Sequence, residues 1–142
     1  MDGSDHPGTV RLTVPATAAH LSLLRTLVGY YAGRERFTID QVDDLKMAVD
    51  EAAVQLLRHS AGEVVRLELA PVGAGVVARV SAEVAHDRPV VDRGSFAWTI
   101  LQALADELDV EREGAQAAIV LGKHLLPEPD EGDMPAGDGV GG

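Results

Sequence analysis

No cysteine occurs in the 142 residues, which excludes disulfide bonds and thiolate chemistry and fits a reducing cytoplasm. Aromatic residues are only 4% of the chain, so a core must be built from Leu, Val, Ile and Ala. No apolar run reaches the roughly 18 residues of a membrane-spanning helix, so no membrane contact is expected. The first residues, MDGSDHPG, are polar and acidic, unlike a signal peptide. Basic side chains are scarce too: 12 Lys and Arg stand against 23 Asp and Glu, a formal net charge of −11. Such a surface repels phosphate backbones and argues against direct nucleic-acid binding. It is compatible with a basic protein partner.

What is present suits one domain with one core, with 46% apolar residues. Residues 1–8 and 127–142 are expected to be disordered. The second stretch, PEPDEGDMPAGDGVGG, carries five acidic residues and no basic one, and its Pro and Gly break any helix. Between them, residues 9–126 read as strand, helix, helix, strand, strand, helix, strand. Val10 to Val14 alternates and is β-branched, which predicts a strand ended by Pro15. Ala18 to Tyr31 places Leu21, Leu24, Leu27 and Val28 at helical spacing, with Gly33 at its end. Thr38 and Gln41 form a capping-box pattern for a helix running to about His59, closed by Gly62. Its buried stripe is Val42, Leu45, Val49, Ala52 and Leu56. Glu63 to Ala70 and Gly75 to Val84 read as an antiparallel hairpin. Ser95 to Leu108 reads as a helix and Ala115 to Leu121 as the last strand. The predicted class is α+β: a two-layer α/β sandwich with helices on one face of a mostly antiparallel sheet.

Val49 to Ser60, VDEAAVQLLRHS, is the most informative stretch. Glu51, Gln55 and His59 stand at i, i+4 and i+8, so they share one side of the helix. Ala48, Ala52 and Ala53 crowd around this polar stripe, which suits a cleft. The alternative is a solvated edge of an amphipathic helix. The three residues do not make an HExxH metal site.

Three segments carry a family resemblance. They are LRTLVGYY (Leu24 to Tyr31), LKMAVDEAAVQLLRHS (Leu45 to Ser60) and RGSFAWTILQALADELDV (Arg93 to Val110). With the element order, they resemble the GHKL, or histidine-kinase-like, ATPase fold. Within that fold they resemble the small anti-sigma-factor serine kinases of the RsbW and SpoIIAB type. The first is like the family's first helix with its arginine. The second is like its "AVsEaxxNaxxHa" helix, and the third like its Gly-rich turn and "LaDev" helix. The match covers about residues 9 to 125 and is most similar to actinobacterial members that restrain a stress or sporulation sigma factor.

The resemblance implies ATP and Mg as cofactors and gives roles to named positions. Glu51 matches the general base for a serine hydroxyl or water. Gln55 stands where the family has its Mg-binding asparagine, with one extra methylene against the tight geometry Mg demands. His59 matches a family histidine, though a histidine near a helix end is common. Gly94 remains of the glycine-rich phosphate turn, before helix amides at Ser95 to Ala97. Elsewhere the pattern is broken. The family's DxGxG, whose aspartate holds adenine, reads Ala82, Val84 and His86, with Glu83 the nearest carboxylate. The family's "GGT" reads Gly114, Ala115 and Gln116.

The expectation is a retained fold with an eroded nucleotide site. Arg25, on the first helix, is the implied contact for a sigma factor and for an anti-anti-sigma (STAS) protein. A homodimer is also implied. Two functions stand: an anti-sigma factor that sequesters an alternative sigma factor, or an active ATP-dependent serine/threonine protein kinase acting on the anti-anti-sigma protein. A GHKL-fold partner-binding module outside sigma control is a third.

Overall fold

The longest helix shows how local sequence sets this fold. Thr38 Oγ1 accepts the Gln41 N–H at 3.1 Å, and Gln41 Oε1 accepts the Thr38 N–H at 3.0 Å, completing the capping box. Gln41 Nε2 also donates to the His124 carbonyl at 2.8 Å, so the cap fixes the helix start to the end of the last strand. In the computed structural model, the described residues are 8–85 and 89–125. The expected tails, Gly8 apart, and His86 lie outside them.

The elements are β1 (Val10–Pro15), a 3-10 turn (Ala18–His20), α1 (Ser22–Gly33), α2 (Ile39–Arg58), β2 (Ser60–Val72), β3 (Gly75–Val84), α3 (Phe96–Leu104), β4 (Glu107–Glu113) and β5 (Gln116–His124). The strands form one antiparallel sheet in the order β1-β2-β3-β5-β4. Helices cover one face, with α2 packed on β2, β3 and β5 and touching both α1 and α3. The α+β sandwich predicted from the sequence is therefore the fold. No helix among the described residues is long and apolar enough to cross a membrane.

Strand alternation builds the core. Val65, Leu67 and Leu69 of β2, Val76, Ala78, Val80, Ala82 and Val84 of β3, and Ala117, Ile119 and Leu121 of β5 are buried. They meet Leu45, Val49, Ala52 and Leu56 of α2 and Leu24 and Val28 of α1. Each fully buried Leu or Val contributes about 1.5–3 kcal/mol. The expected α2 stripe is thus buried, with Val42 partly so. Of the aromatic residues near the end of α1, Tyr31 and Phe37 pack on the core, while Tyr30 is 64% exposed.

Several boundaries differ from expectation, and three of them begin or end helices. The first helix begins at Ser22, because Ala18–His20 forms a 3-10 turn in which Thr17 Oγ1 meets His20 Nδ1 at 2.8 Å. Gly62 does not close α2. His59 is the C-cap, and Gly62 lies within β2, where an added Cβ would stand 2.9 Å from Glu83 Cβ. The helix expected to reach Leu108 stops at Leu104, with Ala105 extended, and Glu107–Glu113 is a strand. Leu104 and Leu108 fit a helix, but Leu108 and Val110 also alternate with Glu107, Asp109 and Glu111. Pairing decides: Leu108 lies opposite Leu121 and Val110 opposite Ile119. Gly114, at φ 61°, makes the turn between the two strands.

The end of β5 is locked. Lys123 is buried, and its Nζ donates to the Leu104 carbonyl at 2.9 Å and meets Asp44 Oδ2 at 3.5 Å. One cation therefore joins α2, α3 and β5.

Candidate functional site

The C-terminal half of α2 and the N-terminus of α3 face each other across a cleft of about 970 Å³. Glu51, Gln55, Arg58 and His59 form the α2 wall; Ser95, Phe96, Ala97 and Ile100 form the α3 wall. Between them lie Ser60, Ala85, Pro89, Val90 and Asp92. The polar stripe thus faces a cleft, and the solvated-edge alternative fails. Small Ala52 and Ala53 are fully buried beside it, which lets the sheet and helices approach α2 closely.

Gln55 is only 7% exposed. Its Nε2 donates to Glu51 Oε2 at 2.7 Å, which orients both side chains and leaves Gln55 Oε1 as an acceptor. Glu51 lines the cleft, where a carboxylate can accept a proton. His59 caps α2, its N–H donating to the Leu56 carbonyl at 3.1 Å while its carbonyl accepts the Ala85 N–H at 3.1 Å. Its backbone therefore joins the helix end to the end of β3.

The start of α3 is occupied from within the chain. Asp92 Oδ1 accepts the Gly94 N–H at 2.9 Å. The Asp92 carbonyl accepts the Ser95 N–H at 2.9 Å and the Ser95 hydroxyl at 2.6 Å. Ser95 Oγ in turn accepts the Trp98 N–H at 3.2 Å, so Ser95 is the N-cap. Gly94 is exposed, its φ is not positive, and the nearest atom to an added Cβ is Asp92 Oδ1 at 3.5 Å. Nothing local therefore requires glycine there. Arg93 turns away to stack on the Trp98 ring, 4.5 Å from its centroid. Sequence reasoning missed Asp92 and this Arg93–Trp98 pair; the D-x-G-S spelling before a helix was the available signal for the turn.

A profile described as the histidine kinase-like ATPase domain matches residues 14–123. The chain belongs to that family. Among curated relatives, the anti-sigma-F factor RsbW of Mycobacterium tuberculosis is 41% identical over 109 residues. That alignment covers 75% of this chain and 64% of the relative, so the chain spans less than two thirds of its length. The serine-protein kinase RsbW of Halalkalibacterium halodurans is 35% identical over 57 residues, covering 40% of this chain and 35% of that protein. Among solved structures, the RsbU and RsbW domains of Rv1364c from Mycobacterium tuberculosis match with a TM-score of 0.66 at 16% identity. The match covers 82% of this chain and 32% of that one, and it speaks for the fold alone.

Seen as a histidine kinase-like ATPase domain, the chain brings only some of its candidate residues together. Glu51 and Gln55 meet in the cleft; Gly94 reaches it only through its neighbours Asp92 and Ser95. Ala82 and Val84 are buried on the helix-facing side of β3, 0% and 1% exposed. Glu83 is exposed and pairs with Gln116, one residue out of phase and so on the opposite sheet face. It cannot replace the missing aspartate. Among the described residues, no three His, Asp or Glu side chains converge as a metal-binding group.

Arg25 lies elsewhere, in a shallow groove of about 490 Å³ with Ser22, Thr26, Asp43, Lys46 and Met47. Its Nη1 stands 3.7 Å from Asp50 Oδ2, and both side chains are solvent-accessible. A loose single contact of this kind leaves the guanidinium fork available.

Proposed function

We propose that this chain is an anti-sigma factor that works without nucleotide. It binds an alternative sigma factor of the stress or sporulation type and blocks its access to core RNA polymerase. A STAS-type anti-anti-sigma protein releases it by competing for the Arg25 surface. The 41%-identical relative named as an anti-sigma-F factor supports the first part. Arg25 supports the second: an exposed guanidinium, weakly held by Asp50, suits bidentate pairing with a partner carboxylate. A cytoplasmic homodimer is part of the same proposal.

The observation that carries nucleotide independence is the burial of Ala82. A methyl closed into the core offers no acceptor to an adenine amino group. The rest of the donor set is equally poor for a magnesium nucleotide. Gln55 carries its amide oxygen one methylene further out than the asparagine the resemblance implies, and Gly94 provides no close backbone cradle. The residues do not fit Mg-ATP.

The second reading, a serine kinase acting on the anti-anti-sigma protein, draws on the relative of that name and on Glu51 facing the cleft. A tagged chain recovered from its own cells, with and without Mg-ATP, separates the two. Sigma factor in both samples supports the proposal. Sigma factor only with ATP, or phosphorylation of the antagonist lost in Glu51→Ala, supports the kinase. No sigma factor in either sample refutes both.

A further inference from the structure

The cleft is large enough for a nucleotide, so volume does not exclude one. Loss of the adenine acceptor removes the base-specific contact, while phosphates bind helix N-termini without help from a base. The α3 N-terminus opens on the cleft, and the first amides of a nine-residue helix are orphan donors with partial positive charge. Here a carboxylate is fixed on the turn just before them. Asp92 lines the cleft and holds the Gly94 N–H through its side chain and the Ser95 N–H through its carbonyl. Ser95 Oγ holds the Trp98 N–H.

The surrounding charges reinforce this. Glu51 adds a second carboxylate from α2. Arg93, adjacent to the turn, is drawn onto Trp98. Arg58 and His59 at the end of α2 are the cationic or titratable nitrogen groups among the described lining residues. An incoming phosphate at the start of α3 therefore meets the carboxylates of Asp92 and Glu51, with Arg58 the opposing cation among the described lining residues.

We infer that Asp92 acts as an internal anion, fixed on the turn just before α3, and makes the cleft disfavour anionic ligands. This rests on the nucleotide-independent reading and adds the side chain that decides specificity. Asp92→Asn removes the charge and keeps an Oδ1 acceptor for Gly94, so the turn is retained. Asp92→Gly also frees the amide. The full-length wild type and both variants are titrated calorimetrically with inorganic pyrophosphate and with Mg-ATP, after thermal melts establish that each is folded.

The wild type is expected to show no saturable binding at millimolar ligand. Both variants should bind pyrophosphate about tenfold tighter or more, Asp92→Gly ahead of Asp92→Asn, from relief of carboxylate repulsion and recovery of the amide. Micromolar binding of either ligand by the wild type overturns the inference. So do folded variants that bind pyrophosphate no better than the wild type; that result leaves the buried Ala82 and the anti-sigma reading intact. The titration contains no partner protein, so failure to recover a sigma factor from cells does not bear on it.

Discussion

Restoring the family's adenine-binding carboxylate by Ala82→Asp should damage the fold and recover no nucleotide. Ala82 is fully buried, opposite Val65 on β2 and Ala117 on β5, with Val80 and Val84 on the same strand face. A carboxylate there has no partner and stays protonated, its pKa raised from about 3.9 by 3 or more units. Holding it neutral at pH 7 costs about 4 kcal/mol at 1.36 kcal/mol per pH unit. Fitting the extra atoms adds about 1–3 kcal/mol. The sum approaches the whole stability of an ordinary domain, about 5–15 kcal/mol. The sign with pH is definite. The folded chain keeps a proton that the unfolded chain releases, so the deficit is smallest near the unfolded pKa and grows as pH rises. Urea unfolding of wild type and variant at pH 5 and pH 7.5 should show the deficit widening by about 3 kcal/mol. An unchanged midpoint at both pH values, or a stable variant that binds ATP, would mean that residue 82 faces the cleft and that the reasoning is wrong.

Four further outcomes follow from single contacts. Lys123→Ala leaves the Leu104 carbonyl and Asp44 without their cation and should lower stability by about 2–3 kcal/mol in urea unfolding, whereas Arg79→Ala, at an exposed pair with Glu111, should cost less than about 1 kcal/mol. Thr38→Ala removes the side-chain half of the capping box and should cost about 1 kcal/mol, read from the same melts. Arg25→Ala should weaken sigma-factor binding by about 1–2 kcal/mol in calorimetry while changing stability by less than about 1 kcal/mol, because its contact to Asp50 is loose and exposed. Tyr31 should titrate above 10, since burial disfavours its phenolate and Glu35 adds repulsion; its contribution to stability is present below pH 10 and lost above it, so Tyr31→Phe should flatten the alkaline limb of the stability profile.

The parts of this fold legible in the sequence are those where independent signals agree. For α2, the Thr38–Gln41 cap, the apolar period and the polar stripe all specify one helix in one orientation, and the structure has it. At Glu107–Glu113 the signals conflict. Leu104 and Leu108 keep a helical period, while Leu108 and Val110 alternate, and only the exposed edge of β5 resolves the choice. That edge is a tertiary fact, invisible to a local window. Residue 83 shows the opposite case: strand parity alone places Glu83 on the sheet's far face and Ala82 in the core, so its failure to replace the aspartate was derivable beforehand. Asp92 was not. The turn it makes is spelled in the sequence, but its charge gains meaning only when α2 is set across from α3.

On the proposed reading, the residues that make the cleft a poor nucleotide site also change what holds the domain together. A ligand that binds only the folded state stabilises it by RT ln(1 + [L]/Kd), and a chain that relies on this is coupled to ligand supply. Val84 is buried in the core, as is Ala82, at the end of the strand that borders the cleft. Burying a Val contributes about 1.5–3 kcal/mol with no ligand present. Around the start of α3, the Gly94 amide is held by Asp92 and the Trp98 amide by Ser95 with no phosphate present. On the proposed reading, the resting chain is therefore already in its binding-competent form, and the Arg25 surface is presented at all nucleotide levels. Release then depends on competition by another protein. A thermal melt unaffected by millimolar Mg-ATP is the signature of that arrangement, and a clear upward shift would return the chain to nucleotide control.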